Sequence, residues 1–349
     1  GLFDNLDREL DGWLIKSENY QALNTILPKF REQVKCIYID PPYNTKASEI
    51  MYANGYKHSS WLTLVENRLR KAKDFLQDDG ILCVTIDETE FHRLYSLLVE
   101  VFNGEESILG TVAIRSNPAG RSTRKGFAIA HEYAIFIAGG DGTAIGRLAR
   151  SEKQIARYKE SDEEGSFEWV NFRKHGGANA ERKARPRLFY PIYVSSQDKM
   201  RIPEMRWDDS NQAWIPLEQP KDDETVVYPI SARGEERTWK WGHETALKKI
   251  ADLCVKRDQK GNIMVYMKSR MREEGALPLT WWDKKEYSAT DYGTNLLGQI
   301  LGSATAFSFP KSVHAIADCL RVAKFDEDHV CLDFFAGSGT TAHAVINLN

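Results

Sequence analysis

Two short stretches of this chain carry residue types whose spacing suits chemistry. The first is Asp40-Pro41-Pro42-Tyr43, which ends the apolar, β-branched run KCIYID. Its prolines fix φ and restrict the residue before them, so the Asp40 carboxylate and the Pro41 carbonyl are held as neighbouring acceptors. Two acceptors side by side suit an amino group. The exocyclic amine of adenine or cytosine fits, one N–H to each acceptor, with Tyr43 placed to stack on the base face. The alternative is a plain proline turn after a strand.

The second stretch is Asp333-Phe334-Phe335-Ala336-Gly337-Ser338-Gly339, at the end of the buried run HVCLDFF. Gly337 and Gly339 let the backbone turn tightly and approach a ligand, and the segment after them, with helical character, offers free N–H groups. A nucleotide-like cofactor suits such a turn. Gly337, Gly339 and Ala342 also meet the spacing of a dinucleotide-binding fold, so a nicotinamide oxidoreductase explains the glycines while leaving Asp40 to Tyr43 idle. The pair of motifs is what discriminates.

The elements that must position these motifs read as an α/β pattern. A helix is expected over 17–30, with Pro28 where it should end, and a strand over 35–40. SSWLTLVENRLRKAKDFLQDDG reads as a helix closed by Gly80, and ILCVTID as a second buried strand, which makes the sheet parallel at this point. ETEFHRLYSLLVEVF repeats the helical pattern and HEYAIFIA, 131–138, is a further apolar strand. From Gly139 the texture becomes glycine-rich and then acidic, which places a boundary there. Residues 141–290 hold Trp169, Trp207, Trp214, Trp239, Trp241, Trp281 and Trp282 among short alternating segments, as expected of an inserted α+β domain. The α/β pattern then resumes, so residues 1–140 and 291–349 are expected to share one sheet.

Composition bounds the partners. A chain of 349 residues, 42% apolar and 28% charged, is globular, with no run long and apolar enough to cross a membrane. Forty-seven basic against fifty acidic residues leave a net charge of −3, so only local clusters can point to nucleic acid. Two stand out: Arg115, Arg121, Arg124 and Lys125 around a Gly-Pro-containing segment, and Arg173, Lys174, Arg182, Lys183, Arg185 and Arg187 beside glycines and Tyr190. Each is either a solvated face or a set of phosphate contacts, and the charge density of the second favours DNA. The five cysteines and eight histidines lack ligand spacing, so no metal is expected, and the cysteines read as reduced core thiols. The acidic N-terminus lacks a secretory layout, which suggests a cytoplasmic protein. The chain begins at Gly1 without Met and reads as cut back at one end at least.

DPPYNT near the start, FAGSGTT near the end and a long insert between them resemble the β group of amino-methyltransferases, most closely the Mod subunits of type III restriction-modification systems. NGYKHSSWLTLVENRL, HEYAIFIA, RPRLFYPIYV, YSATDYGTNLLGQILG and FSFPKS support the likeness. The resemblance implies a Rossmann-like, S-adenosylmethionine-dependent methyltransferase sheet with permuted motif order and the insert as target-recognition domain. It implies that Asp40, Pro41, Pro42 and Tyr43 form the amine pocket. It implies also that Asp333, Phe335, Ala336, Gly337, Ser338 and Gly339 line the cofactor, with Phe309, Pro310 and Lys311 near it; Lys311 is alternatively a solvated helix-cap residue. Adenine N6 in duplex DNA, reached by base flipping, is the implied target, with cytosine N4 or a non-catalytic DNA-recognition subunit as alternatives. A homodimer and a Res-type helicase-nuclease partner follow from the resemblance only. One departure is expected to matter: the acidic residue about twenty positions after the glycines, which binds ribose hydroxyls in Rossmann-like sites, falls past Asn349.

Overall fold

The computed structural model describes residues 11–45, 58–123, 125–303, 305 and 307–349. The chain divides into two compact units, residues 1–149 with 274–349, and residues 150–273. The first is built on a six-stranded mixed sheet. Its strands are β1 (Val34–Ile39), β2 (Leu76–Ile86), β3 (Ile108–Ile114), β4 (Glu132–Ala138), β5 (Trp281–Trp282) and β6 (Val330–Leu332). They lie in the order β5-β3-β4-β2-β1-β6.

Every residue of β1 is buried, Lys35 included, so this strand has both faces covered, as a central parallel strand must. Its side chains alternate between two cores. Ile37 and Ile39 join Leu82 and Val84 of β2 in a core packed by α1 (Asn19–Phe30), α2 (His58–Lys73) and α3 (Phe91–Val101), with Leu23, Trp61, Val65, Leu69, Leu94 and Leu98 as principal contributors. Cys36 and Tyr38 face the other core, where α4 (Val313–Val322) and α5 (Thr340–Ile346) supply Val313, Ile316, Leu320 and Ala344. β1 runs parallel to both β2 and β6, whereas β4 runs antiparallel to β2 and to β3. The sheet is therefore parallel at its centre and antiparallel on one side.

Several expectations change. Gly80 is not a helix cap: α2 ends at Lys73, and Phe75 and Leu76 turn inward, where Leu76 pairs with Val34. Gly80 lies inside β2, where a Cβ would sit 3.0 Å from the backbone carbonyl of Val34 and glycine avoids the close approach. Helix α1 ends at Phe30, as expected, with Pro28 inside its last turn. The compositional shift at Gly139 is a turn, not the edge of the insert. Gly146 donates to the Val322 carbonyl (2.7 Å), Leu148 and Ala276 exchange backbone hydrogen bonds, and Trp281 and Trp282 pair with Ala113 and Ile114. Both flanks thus pack within the first unit, and the inserted unit is shorter than 141–290.

That inserted unit is mainly antiparallel. Strands over 253–257, 263–270, 165–171 and 160–162 form one sheet in that order, and those over 224–227, 192–195 and 200–201 another. Two short helices, Glu152–Ile155 and His243–Lys248, accompany them. Phe172, Tyr190, Val194, Trp239 and Val265 fill its core, with the Phe172 and Trp239 rings stacked 5.1 Å apart. Among the described residues no helix is long and apolar enough to cross a membrane.

Leu82, fully buried opposite Ile37, is the position where truncation should be felt most plainly. Leu82→Ala is expected to cost about 3 kcal/mol through lost burial and the residual cavity. Urea unfolding of the variant checks this, and a cost within about 0.5 kcal/mol, the usual range for exposed sites, would contradict the packing described.

Candidate active site

Three chain segments meet at the carboxyl edge of the sheet because the strand registers place them there. Ile39 pairs with Val84, Ile86 with Tyr133 and Ile114 with Glu132, so Asp40, Thr85 and Glu132 emerge on one rim. On the other side of β1, Ile37 pairs with Leu332, which puts Asp333 at the same rim. This is the edge at which open α/β sheets bind ligands.

Asp40 leaves β1 half-buried. Its Oδ1 accepts from the Thr85 hydroxyl (2.7 Å) and lies 3.2 Å from the Lys311 ammonium. Both contacts fall on Oδ1, and among the described residues no hydrogen bond reaches Oδ2 or the Pro41 carbonyl. The Pro42 carbonyl is taken instead, by the indole N–H of buried Trp61 at 2.7 Å, which anchors the turn to α2. Two adjacent acceptors are thus left open beside a third that is pinned.

Tyr43 donates its hydroxyl to Glu132 Oε2 at 2.8 Å. Lys311 donates to the Tyr43 hydroxyl and to Glu132 Oε2, and its ammonium lies 4.4 Å from the centre of the Tyr43 ring. Burial pushes the Tyr43 phenol well above its ordinary value, with Asp40 and Glu132 adding to the rise, so it stays neutral. Burial alone would pull Lys311 down, but Asp40 and Glu132 outweigh it and hold the ammonium charged. Lys311 is therefore no solvated cap residue. It precedes the N-cap Ser312 of α4, whose hydroxyl accepts from the Ala315 N–H, and its own side chain turns inward. Beyond Tyr43, the Asn44 amide donates to Glu90 at 2.6 Å, and His58 also contacts that carboxylate at 2.6 Å.

The glycine turn follows β6. Asp333 Oδ1 accepts from the Phe335 N–H (2.9 Å) and Oδ2 from the Thr341 hydroxyl (2.6 Å), which folds the chain back over the carboxyl. Gly337 and Gly339 have φ of 53° and 78°, the left-handed region in which side chains are strained, and the Gly339 N–H closes the turn on Ala336 at 2.8 Å. Phe335 packs against the first core, Ala336 is exposed, and Ser338 bonds Thr340. A cleft beside the turn is lined by Tyr292, Leu296, Pro310, Lys311, Ser338 and Gly339. Lys311 is the bridge, since it lines this cleft and also touches Asp40 and Tyr43. Phe309 is 71% exposed at a positive φ, while Pro310 is buried.

The expected basic clusters fall on separate units. Arg115, Arg121 and Lys125 lie in the excursion between β3 and β4, on the rim that carries Glu132. Arg121 is committed to Glu88 at 2.7 Å, and Lys125 is exposed. Arg124 lies outside the described residues. In the inserted unit, Arg182 pairs with Glu236 (2.9 Å) and covers Phe189, Arg187 covers Trp207, and Arg173 donates to the Ile230 carbonyl. Lys174, Lys183 and Arg185 have no carboxylate partner among the described residues.

Sequence reading missed Thr85 and Glu132. Each is a polar residue at the end of an apolar strand, Thr85 in ILCVTID and Glu132 in HEYAIFIA, and that position was the available signal.

An α/β domain with an acceptor corner and a glycine turn on one sheet edge is the class defined by this fold. Within it, residues 34–349 match the DNA methylase family, and the chain belongs to that family. It is 32% identical to the EcoPI Mod subunit, a type III restriction-modification enzyme of Escherichia phage P1, over 96% of this chain and 55% of that one. It is 30% identical to the type II methyltransferase M.KpnI of Klebsiella pneumoniae, over 94% of this chain and 74% of that one. The EcoP15I Mod subunit of Escherichia coli is 25% identical, over 96% and 56%. The chain spans about half the length of the Mod subunits it matches.

Enclosure raises the Asp333 carboxyl to about 7, against the two hydrogen bonds that favour its charge. Because the folded value lies above the unfolded one, this group's contribution to stability is complete below about pH 4 and is lost as pH rises through about 7. Asp333→Asn stays neutral throughout. Its melting temperature relative to the parent protein is therefore expected to climb between pH 4 and pH 8, and parallel melting curves across that range would exclude the assignment.

Proposed function

We propose that the protein transfers a methyl group from S-adenosylmethionine to the N6 amine of adenine in duplex DNA. The observation that carries this reading is the pair of open acceptors, Asp40 Oδ2 and the Pro41 carbonyl, held rigid at the edge that also carries the glycine turn. An aromatic amine is a poor nucleophile because its lone pair is delocalised into the ring. Hydrogen bonds from both N–H groups to these acceptors favour a pyramidal nitrogen and stabilise the positive charge that grows on it. The amine lies inside the double helix, so the base must leave the stack, and the neutral Tyr43 ring replaces the stacking lost.

The residues present fit the cofactor. The turn at Gly339 has open space where a Cβ would project, and the cleft beside it is partly apolar, lined by Leu296, Pro310 and Val313. Asp333, Phe335, Gly337, Ser338 and Gly339 would hold it, with Pro310 and Lys311 on the opposite side. When bound, the cofactor supplies an electrophilic methyl on a sulfonium centre. The chain itself aligns the amine for in-line displacement and needs no covalent intermediate.

Phosphate contacts are assigned to Arg115 and Lys125 on the first unit and to Lys174, Lys183 and Arg185 on the inserted unit, which acts as the target-recognition domain. The EcoPI and EcoP15I relatives are named as subunits of type III restriction-modification enzymes. By that likeness the protein serves in the cytoplasm as the modification subunit of such a system, as a homodimer with a Res-type partner. Adenine is preferred over cytosine because the corner is acidic: DPPY resembles the adenine-modifying members.

Asp40→Ala is expected to lower methyl transfer from labelled S-adenosylmethionine to duplex DNA by at least about a hundredfold, since it removes a transition-state acceptor. Binding of the same duplex should stay within about twofold, because no phosphate contact is lost. Equal loss of both in a folded variant would reject the assignment. Nucleoside mass spectrometry of the product decides the base: N4-methylcytosine without N6-methyladenine overturns the choice of adenine.

A further inference from the structure

The corner that faces the amine contains three formal charges, and two of them belong to residues outside both motifs. Asp40 and Glu132 are carboxylates, and Lys311 is an ammonium between them. An ammonium has three N–H donors. Those of Lys311 meet Asp40 Oδ1, the Tyr43 hydroxyl and Glu132 Oε2, so no donor is idle and the side chain is fixed. Glu132 Oε2 accepts from both Lys311 and Tyr43, which ties the ring to the ammonium. Glu132 is 8% exposed, and its charge would be costly there without those two donors.

We propose that Glu132 is a positioning residue for methyl transfer: it shares the Lys311 ammonium with Asp40, leaving one net negative charge in the corner where the amine becomes positive. The inference rests on the proposed function. Without the Glu132 charge, the Lys311 ammonium would be balanced by Asp40 alone, the remaining carboxylate, and compete with the amine for it. The corner would then be neutral as the amine turns cationic, and electrostatic stabilisation of that charge would fall. Glu132 also holds the Tyr43 hydroxyl, so the plane on which the base stacks depends on the same oxygen.

Other ionisable groups near the corner do not supply this charge. The Tyr38 phenol is pushed well up by burial, with Asp40 and Glu132 adding to the rise, and the Tyr43 phenol is raised likewise, so both are neutral. Asp333 carries its own two donors, from Phe335 and Thr341.

The test uses the full-length protein and a duplex substrate, with Glu132→Gln, Lys311→Met and the double variant, each checked for a cooperative melt. Glu132→Gln keeps the shape and is expected to lower kcat by about tenfold or more, with KM for DNA and for S-adenosylmethionine within about twofold. In the Lys311→Met background the same substitution should no longer lower kcat, because Asp40 then supplies the single negative charge unopposed. Lys311→Arg, which keeps the cation, should retain more activity than Lys311→Met. An unchanged kcat in Glu132→Gln, a loss confined to KM, or an equal loss in both backgrounds would each overturn the inference while leaving the proposed function standing. Failure of the parent protein to methylate any duplex would overturn the function and this inference with it.

Discussion

Parallel pairing of β1 with β6 is the constraint on which the rest depends. Val34 faces Val330 and Ile37 faces Leu332, so two segments from opposite ends of the chain leave the sheet at the same edge. A parallel ladder permits this only with a crossover connection between the strands, and here the crossover includes the whole inserted unit. Both faces of β1 must then be covered. Helices α1, α2 and α3 do so on one side and α4 and α5 on the other, and the same helices anchor the site: Trp61 of α2 holds the proline turn, and Ser312 caps α4 directly after Lys311. The packing that makes β1 central is also what makes Asp40 and Pro41 rigid.

The charge pattern at that edge follows from desolvation. Asp40, Glu132 and Lys311 are drawn together where water is scarce, and each would be costly there alone. Their mutual contacts offset the cost, and hydroxyls from Thr85 and Tyr43 supply further donors. The consequence is a set of dipoles already oriented before any ligand arrives. Asp40 Oδ2 and the neighbouring Pro41 carbonyl are left without donors among the described residues, and these are two adjacent groups to which an amine can donate. On the other side of β1, Asp333 is spent on closing the glycine turn, and its raised value reflects how little water reaches it.

The strands that were legible were those rich in apolar residues, even where burial is incomplete, as at exposed Val330 of the edge strand β6. KCIYID, ILCVTID, HEYAIFIA and HVCLDFF all announce themselves as apolar runs, and all enter the main sheet. The misread positions were those where local chemistry and tertiary packing disagree. Gly80 looks like a helix terminator, yet it is a close approach inside β2 beside the Val34 carbonyl. The glycines after residue 138 look like a linker, yet Gly146 is bonded to Val322. β3, with Gly110 in its middle, had no clean alternation to reveal it.

Residue identity by itself determined the two motifs and the α/β order that surrounds them, because proline rigidity, glycine freedom and apolar periodicity are local properties of the chain. It did not determine who neutralises whom. Lys311 and Glu132 are far apart in sequence, and a charge pair has no periodicity, so only the strand register, which sets Glu132 beside Ile114 and turns Lys311 inward from the start of α4, decided that they meet at Asp40 and Tyr43.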